Sequence, residues 1–245
     1  MNKIKQELED YKLLLRNVPG LVVTLFVISV ICMNLMANRE LFHYQYFALD
    51  CGVAWSWLSF LCMDVICKRF GPKAAVKISA LAVGINLFTC LMFQVLCLAP
   101  GNWGEFYSSG LIDVNNALNN TFSGSWYIVV CSSIAMLISS AVNAFLNHTI
   151  GKLWNKKNNF KEFALRSYLS TGVAQYVDNF VFATLVSKYL FGWTWTQVLM
   201  CSLITAMVEL LAEVIFGPVG YRMSKNWEKE NVGSDYIEYL EKKTK

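Results

Sequence analysis

Four carboxylic acids, Asp64, Asp178, Glu209 and Glu213, stand inside stretches of sequence that are otherwise mostly apolar. A charged side chain at the centre of a membrane helix costs ~2.5–3.5 kcal/mol on insertion scales, so each acid needs a partner, a proton or a wet cavity. No basic residue stands at comparable depth to neutralise them. That leaves protonation, hydrogen bonding, or contact with solvent and a solute. Their neighbours recur at helical spacing. Ser167, Thr171, Gln175 and Asp178 follow one line that Phe182 continues; Ser132, Ser139, Asn143 and Asn147 form a second, and Trp57, Phe60 and Asp64 a third. Glu209 and Glu213 share a face at i, i+4. Converging stripes would make a polar pocket lined by aromatic rings. The alternative is that the hydroxyls and amides are interhelical glue at ~0.6 kcal/mol apiece, with the rings packing or belting the membrane. Asp64 has a further reading, a helix-end acid that reaches toward Lys68 and Arg69. Asp50 and Glu213, near the ends of their runs, are expected to be solvated.

The elements that must hold these residues follow from composition. Over 245 residues the chain is 56% hydrophobic and only 16% charged, with a mean hydropathy of +0.41. Those values exclude an ordinary soluble domain, a disordered chain and a secreted disulfide scaffold. Apolar runs long enough to cross a ~30 Å hydrocarbon core at ~1.5 Å per residue lie at about Leu21–Met36, Tyr46–Cys67, Ile78–Leu98, Trp126–Leu146, Leu165–Leu190 and Thr194–Phe216. The expected fold is therefore all-α, a polytopic membrane protein with about six transmembrane helices. Residues 1–19 read as an amphipathic interfacial helix ended by Pro19-Gly20, residues 20–218 as the membrane domain, and 219–245 as a polar cytoplasmic tail. No cleavable signal peptide is expected.

Basic residues set the orientation, because Lys and Arg stay on the cytoplasmic side. Lys68, Arg69, Lys73 and Lys77 fill one link, and Lys152, Lys156, Lys157 and Lys161 another. Both termini are thus expected inside. The link from Pro100 to Ser125 lacks Lys and Arg, carries Trp103, Phe106 and Tyr107, and reads as external, with an acceptor pattern at Asn119 that matters only in a glycosylating host. The surplus of positive charge, +4 in all, serves topology, and a nucleic-acid partner is not expected. The eight cysteines fall in or beside apolar runs and read as small buried hydrophobes, and with His43 and His148 the only histidines, no metal site and no cofactor is expected.

Phe60-Leu61-Cys62-Met63-Asp64 followed by Phe70-Gly71-Pro72-Lys73-Ala74-Ala75 resembles the F-x-x-T-D-x-x-x-E-x-Y-G-x-K-x-A signature of the queuosine precursor transporters, also called vitamin-uptake-like transporters. Asn34, the Ser-rich fourth run, Arg166 to Ser170 leading to Gln175, the segment from Asp178 to Phe182, and Pro218 match in order, so the resemblance covers nearly the whole membrane region. It implies a fold similar to the substrate-binding subunits of energy-coupling-factor transporters, and import of 7-deazaguanine precursors across a bacterial cytoplasmic membrane. Carried over, Asn34, Asp64, Gln175 and Asp178 become polar site members, with Phe60 and Phe182 as aromatic neighbours. Trp57, Asn143 and Glu209 complete the candidate set from the stripes. A deazaguanine edge offers two parallel N–H donors that one carboxylate can accept, and its ring stacks on aromatics.

The chain departs from the signature at Lys68, where the family has Glu, and at Met63, Phe70 and Trp57, where it has Thr, Tyr and Pro. It reads as a divergent member. Two rival readings are open to the sequence: a substrate-binding subunit of an energy-coupling-factor vitamin transporter, though the first run lacks an Ala-x-x-x-Ala docking pattern, and an intramembrane enzyme with an acidic pair, for which no nucleophile or metal ligand is visible. The expected partners are a small 7-deazaguanine-like solute and the lipid bilayer. A homo-oligomer or an energising partner is compatible with the sequence but not marked in it.

Overall fold

A computed structural model describes residues 3–37, 39–99, 101–104, 108–154 and 160–244; Phe106, Tyr107, Lys156 and Lys157 lie outside the described residues. The all-α polytopic expectation holds. Six helices of 17 residues or more stand among the described residues: α2 (Gly20–Met36), α3 (Val53–Phe70), α4 (Pro72–Leu98), α6 (Trp126–Trp154), α7 (Phe160–Phe182) and α8 (Trp195–Lys229). Three segments are apolar enough on their own to cross a membrane, within Pro72–Leu98, Ile112–Leu153 and Trp195–Lys229. A bent pair, Ile4–Asn17 with Gly20–Met36, makes a fourth if counted as one span. Helix α3 falls short because Asp64, Lys68 and Arg69 all stand within its 18 residues, and α7 because it carries Arg166, Gln175, Asp178, Asn179 and several hydroxyls. Exposed Phe88 and Leu91 on α4, and Met207, Leu211 and Ile215 on α8, give the bundle a surface suited to lipid.

Local chemistry sets the breaks. Gly71, at φ 87°, takes a left-handed conformation that a side chain would resist, and Pro72 starts the next helix where a missing N–H costs nothing. Thr194 caps α8: its hydroxyl accepts the Gln197 N–H at 3.3 Å, while Gln197 Oε1 accepts the Thr194 N–H at 2.9 Å.

Two expectations need correction. The second span does not begin at Tyr46, because residues 40–50 pair as an antiparallel hairpin, β1 (Glu40–Tyr44) with β2 (Phe47–Asp50), and the helix starts only at Val53. Strand pairing satisfies this backbone, and Asp50 Oδ1 accepts the Gly52 N–H at 2.7 Å to open α3. The sixth span runs past Pro218 to Lys229. A proline inside a helix strips the carbonyl four residues earlier of its donor, and the Tyr168 hydroxyl donates to that Val214 carbonyl at 3.3 Å. Within the polar C-terminal segment, α9 (Ser234–Thr244) packs on α1 (Lys3–Asn17). Lys77 Nζ ties α1 to α4 through Glu7 at 2.8 Å and Asp10 at 2.6 Å. Ile4 and Leu8 stay exposed on the other face of α1, which turns by 103° into α2.

The link from α4 to α6 contains its own helix, α5 (Ile112–Gly124). Beyond Phe182, α7 loosens into a π-helical stretch, Ala183–Ser187, and ends in the turn Lys188–Phe191. The Leu185 carbonyl in that stretch is satisfied by the Tyr127 hydroxyl at 2.8 Å.

Candidate functional site

The helices bring two polar centres into the bundle. At the first, Asp64 of α3 is fully buried and receives four side chains. Asn143 and Asn147 Nδ2 of α6 donate to its Oδ1 at 2.7 and 3.1 Å. The hydroxyls of Ser167 and Thr171 on α7 meet its Oδ2, Thr171 at 3.1 Å. Glu213 of α8, also fully buried, adjoins the same group, with its Oε1 2.9 Å from Ser167 Oγ. Arg166 lies within electrostatic range of Asp64, and among the described residues no hydrogen bond joins the two and its buried Nε and Nη2 have no partner.

The second centre lies toward the hairpin end. Asp178 of α7 accepts the Ser139 hydroxyl of α6 at 2.7 Å. On the next position of α7, Asn179 Nδ2 donates to Glu209 Oε2 of α8 at 2.9 Å, and Asp178 and Glu209 are close enough to repel. One turn inward, the Gln175 side chain is fully buried with neither amide atom paired. Above Asn179 opens a cavity of about 470 Å³, within the usual range for small-molecule sites. Phe182, Phe191, Trp193 and Asp50 line its walls together with Ser202 and Thr205. Thr205 Oγ1 also donates to the Ala48 carbonyl at 3.3 Å, which pins the hairpin over the cavity. The π-helical stretch contributes Ala183, Val186 and Ser187 to the same wall.

Of the residues singled out in the sequence, the structure gathers Asp64 with Asn143, and Gln175, Asp178 and Glu209 around Asn179; Phe182 lines the cavity that Asn179 also borders, while Gln175, Asp178 and Glu209 do not line it. It does not bring the other three to either centre. Trp57 stacks on Phe216 with ring centroids 4.2 Å apart, and its Nε1 donates to the Ala54 carbonyl, leaving no polar handle for a solute. Phe60 is packed into the apolar core. Asn34 donates to the Val30 carbonyl of its own helix at 2.9 Å and borders a separate void of about 20 Å³ with Asn86. Asp64 does not reach for Lys68 or Arg69. Lys68 Nζ sits 4.8 Å from the Phe163 ring centroid and 5.0 Å from that of Tyr221, while Arg69 Nε donates to the Val232 carbonyl at 2.9 Å. Glu213 is not solvated, and Arg166 is the basic neighbour that single runs did not reveal, because depth within one helix says nothing about a side chain on the next. Asn179 was missed as well. Its only signal was its place between Asp178 and Phe182.

A bundle of membrane-length helices that encloses paired acids beneath a solute-sized cavity defines a polytopic membrane protein with an internal polar site. The family described as "Putative vitamin uptake transporter" matches residues 50–223, more than half of the chain, and the chain belongs to that family. The match includes both centres and leaves out α1, α2 with Asn34, and α9. No curated protein and no solved structure matches the chain.

Proposed function

We propose that the protein imports a flat, guanine-like heterocycle of the 7-deazaguanine class, a queuosine precursor, across a bacterial cytoplasmic membrane. The observation that carries this reading is the Gln175 amide, buried without hydrogen-bond partners among the described residues, one turn inward of Asn179, which lines an aromatic-walled cavity. Buried amides left unpaired are rare unless something else completes them. Gln175, Asp178, Asn179 and Glu209 supply donors and acceptors for a purine-like edge, and Phe182, Phe191 and Trp193 supply faces for its ring. Both termini then lie in the cytoplasm and the cavity opens outward, in keeping with the basic links at the terminal end. The substrate is carried without chemical change.

Uptake of labelled 7-deazaguanines by cells lacking endogenous queuosine synthesis tests the reading. Expression should produce accumulation that unlabelled deazaguanine suppresses. Uptake no greater than in empty-vector cells, at confirmed membrane abundance, would remove the deazaguanine assignment. A tag at Lys245 should stay closed to impermeant reagents in intact cells, and labelling from outside would reverse the orientation.

A further inference from the structure

The inner centre does not have the form of a second solute pocket. Asp64, Ser167, Thr171 and Glu213 line none of the cavities described above, and Asp64 already holds four donors at its two oxygens. It is short of something smaller. Ser167 Oγ lies within hydrogen-bond distance of Asp64 Oδ2 and also 2.9 Å from Glu213 Oε1. An ionised carboxylate only accepts, and a hydroxyl carries a single proton. One Ser167 proton cannot serve two carboxylates, so two fully ionised acids would leave a bare oxygen-to-oxygen contact between lone pairs inside the bundle. Thr171 does not resolve the shortage, since its one hydroxyl proton faces the same Asp64 oxygen. Glu213 Oε2 is buried with no partner at all.

We infer that Asp64 and Glu213, bridged by Ser167, form a binding site for one exchangeable proton that couples solute import to the proton gradient. With the proton on Glu213, its O–H donates to Ser167 Oγ, and Ser167 donates onward to Asp64. Every contact then has a donor and an acceptor. Among the described residues the charged and titratable surroundings are few. Helix α7 supplies Arg166, which balances the one remaining negative charge, and Tyr168, near Glu213. Helix α3 supplies Cys67 beside Asp64. Helix α6 presents the neutral Asn143 and Asn147, with His148 within range of Arg166. On α8, Glu209 stands one turn away at the solute centre. Ser167 and Thr171 of the proton centre and Gln175 and Asp178 of the solute centre lie along one line of α7, so a shift of that helix moves both. In one cycle a proton binds the pair from the outer side and is released to the cytoplasm, and a neutral solute moves with it, carrying one positive charge inward.

The coupling rests on the transport reading above, but the proton site does not, and the experiment separates them. Infrared difference spectra of the purified full-length protein at neutral pH, wild type minus Glu213→Gln, should contain the C=O stretch of a protonated carboxyl, shifted in D2O and perturbed by Ser167→Ala. Asp64→Asn should remove the same band. A difference spectrum holding only carboxylate bands would overturn the proton site, whatever the protein carries. In proteoliposomes, a one-unit inward pH gradient should sustain roughly tenfold deazaguanine accumulation at one proton per solute. Glu213→Gln should retain solute exchange yet show no gradient-driven accumulation. Accumulation by Glu213→Gln equal to wild type would overturn the coupling. Absence of any deazaguanine flux in the wild type, with the infrared band present, would remove the substrate assignment and leave the proton site standing.

Discussion

Replacing Asp178 by Asn changes the solute centre by one atom. Asparagine has nearly the volume of aspartate and keeps one oxygen, which can go on accepting the Ser139 hydroxyl now 2.7 Å from Asp178 Oδ1. The other oxygen becomes an NH2. A guanine-like edge that presents two N–H donors then meets a donor where it needs an acceptor, and a hydrogen bond left unmade at a buried group costs ~1–3 kcal/mol, a factor of roughly 5 to 150 in affinity. Removing only the support, Ser139→Ala, leaves the carboxylate in place and should cost ~0.5–1.5 kcal/mol, roughly 2- to 13-fold. Binding of a 7-deazaguanine and of an analogue lacking the exocyclic amine, measured on purified protein, separates the effects. Asp178→Asn should weaken the first far more than the second, whereas Phe182→Ala, which removes a ring face at the cavity wall, should weaken both alike. Wild-type affinity in Asp178→Asn, at equal folded abundance, would show that Asp178 serves only to hold α7 against α6.

Three further outcomes test the surrounding structure. Gly220→Ala would place a Cβ 2.7 Å from Leu61 Cδ1 and 3.2 Å from Val65 Cγ2, so overpacking of ~1–3 kcal/mol at the α3–α8 crossing should lower the melting temperature in detergent. Lys68→Glu, which restores the acid of the related signature, would set an anion against the Phe163 and Tyr221 ring faces and lose a cation–π contact of ~0.5–2 kcal/mol; a melting temperature at or above wild type would contradict the ring cage. Desolvation lifts the Asp50 carboxyl from 3.8 to about 6. The folded state therefore keeps a proton that the unfolded chain has released, and the stability tied to it is full below pH 3.8 and lost as pH rises through about 6. Asp50→Asn, which retains an acceptor for the Gly52 N–H, should flatten that part of a thermal pH profile, and an unchanged slope would place Asp50 in water.

The acids were legible because nothing else in an apolar run resembles them, and 3.6-residue periodicity grouped Ser132, Ser139, Asn143 and Asn147, and likewise Ser167, Thr171, Gln175 and Asp178; of the first group Ser139 meets Asp178 while Asn143 and Asn147 meet Asp64. Periodicity does not give the rotation of one helix against the next. It therefore left open that Asp64 would meet Glu213 rather than Asp178, and that Trp57, seven residues from Asp64 on the same stripe, would lie against Phe216 instead. The hairpin was hidden for a different reason. Phe47, Ala48 and Leu49 are as apolar as the helix that follows, and only pairing with residues of β1, a contact across a turn, marks them as a strand. Pro218 invites a helix end in any reading of one segment, yet the orphaned Val214 carbonyl is met by Tyr168 from another helix, so the break never forms.

That last contact links the fold to the site. Tyr168 follows Ser167 directly and neighbours Glu213, while its hydroxyl repairs the helix one residue beyond Glu213, at Val214. A Cβ on Gly217 would collide with the same ring, so the Gly217-Pro218 pair both opens the space for Tyr168 and creates the carbonyl that holds it. Helices α7 and α8 are thereby locked in register at the level of the inner carboxyl pair, and the Ser167 bridge is set by that lock. Toward the hairpin end the same helix α7 gives up regular hydrogen bonding in its π-helical stretch, beside the cavity. A fixed contact at the buried pair and a looser backbone at the cavity wall fall on one helix, so a solute that reshapes the π-helical stretch acts on the same helix that carries the Ser167 bridge.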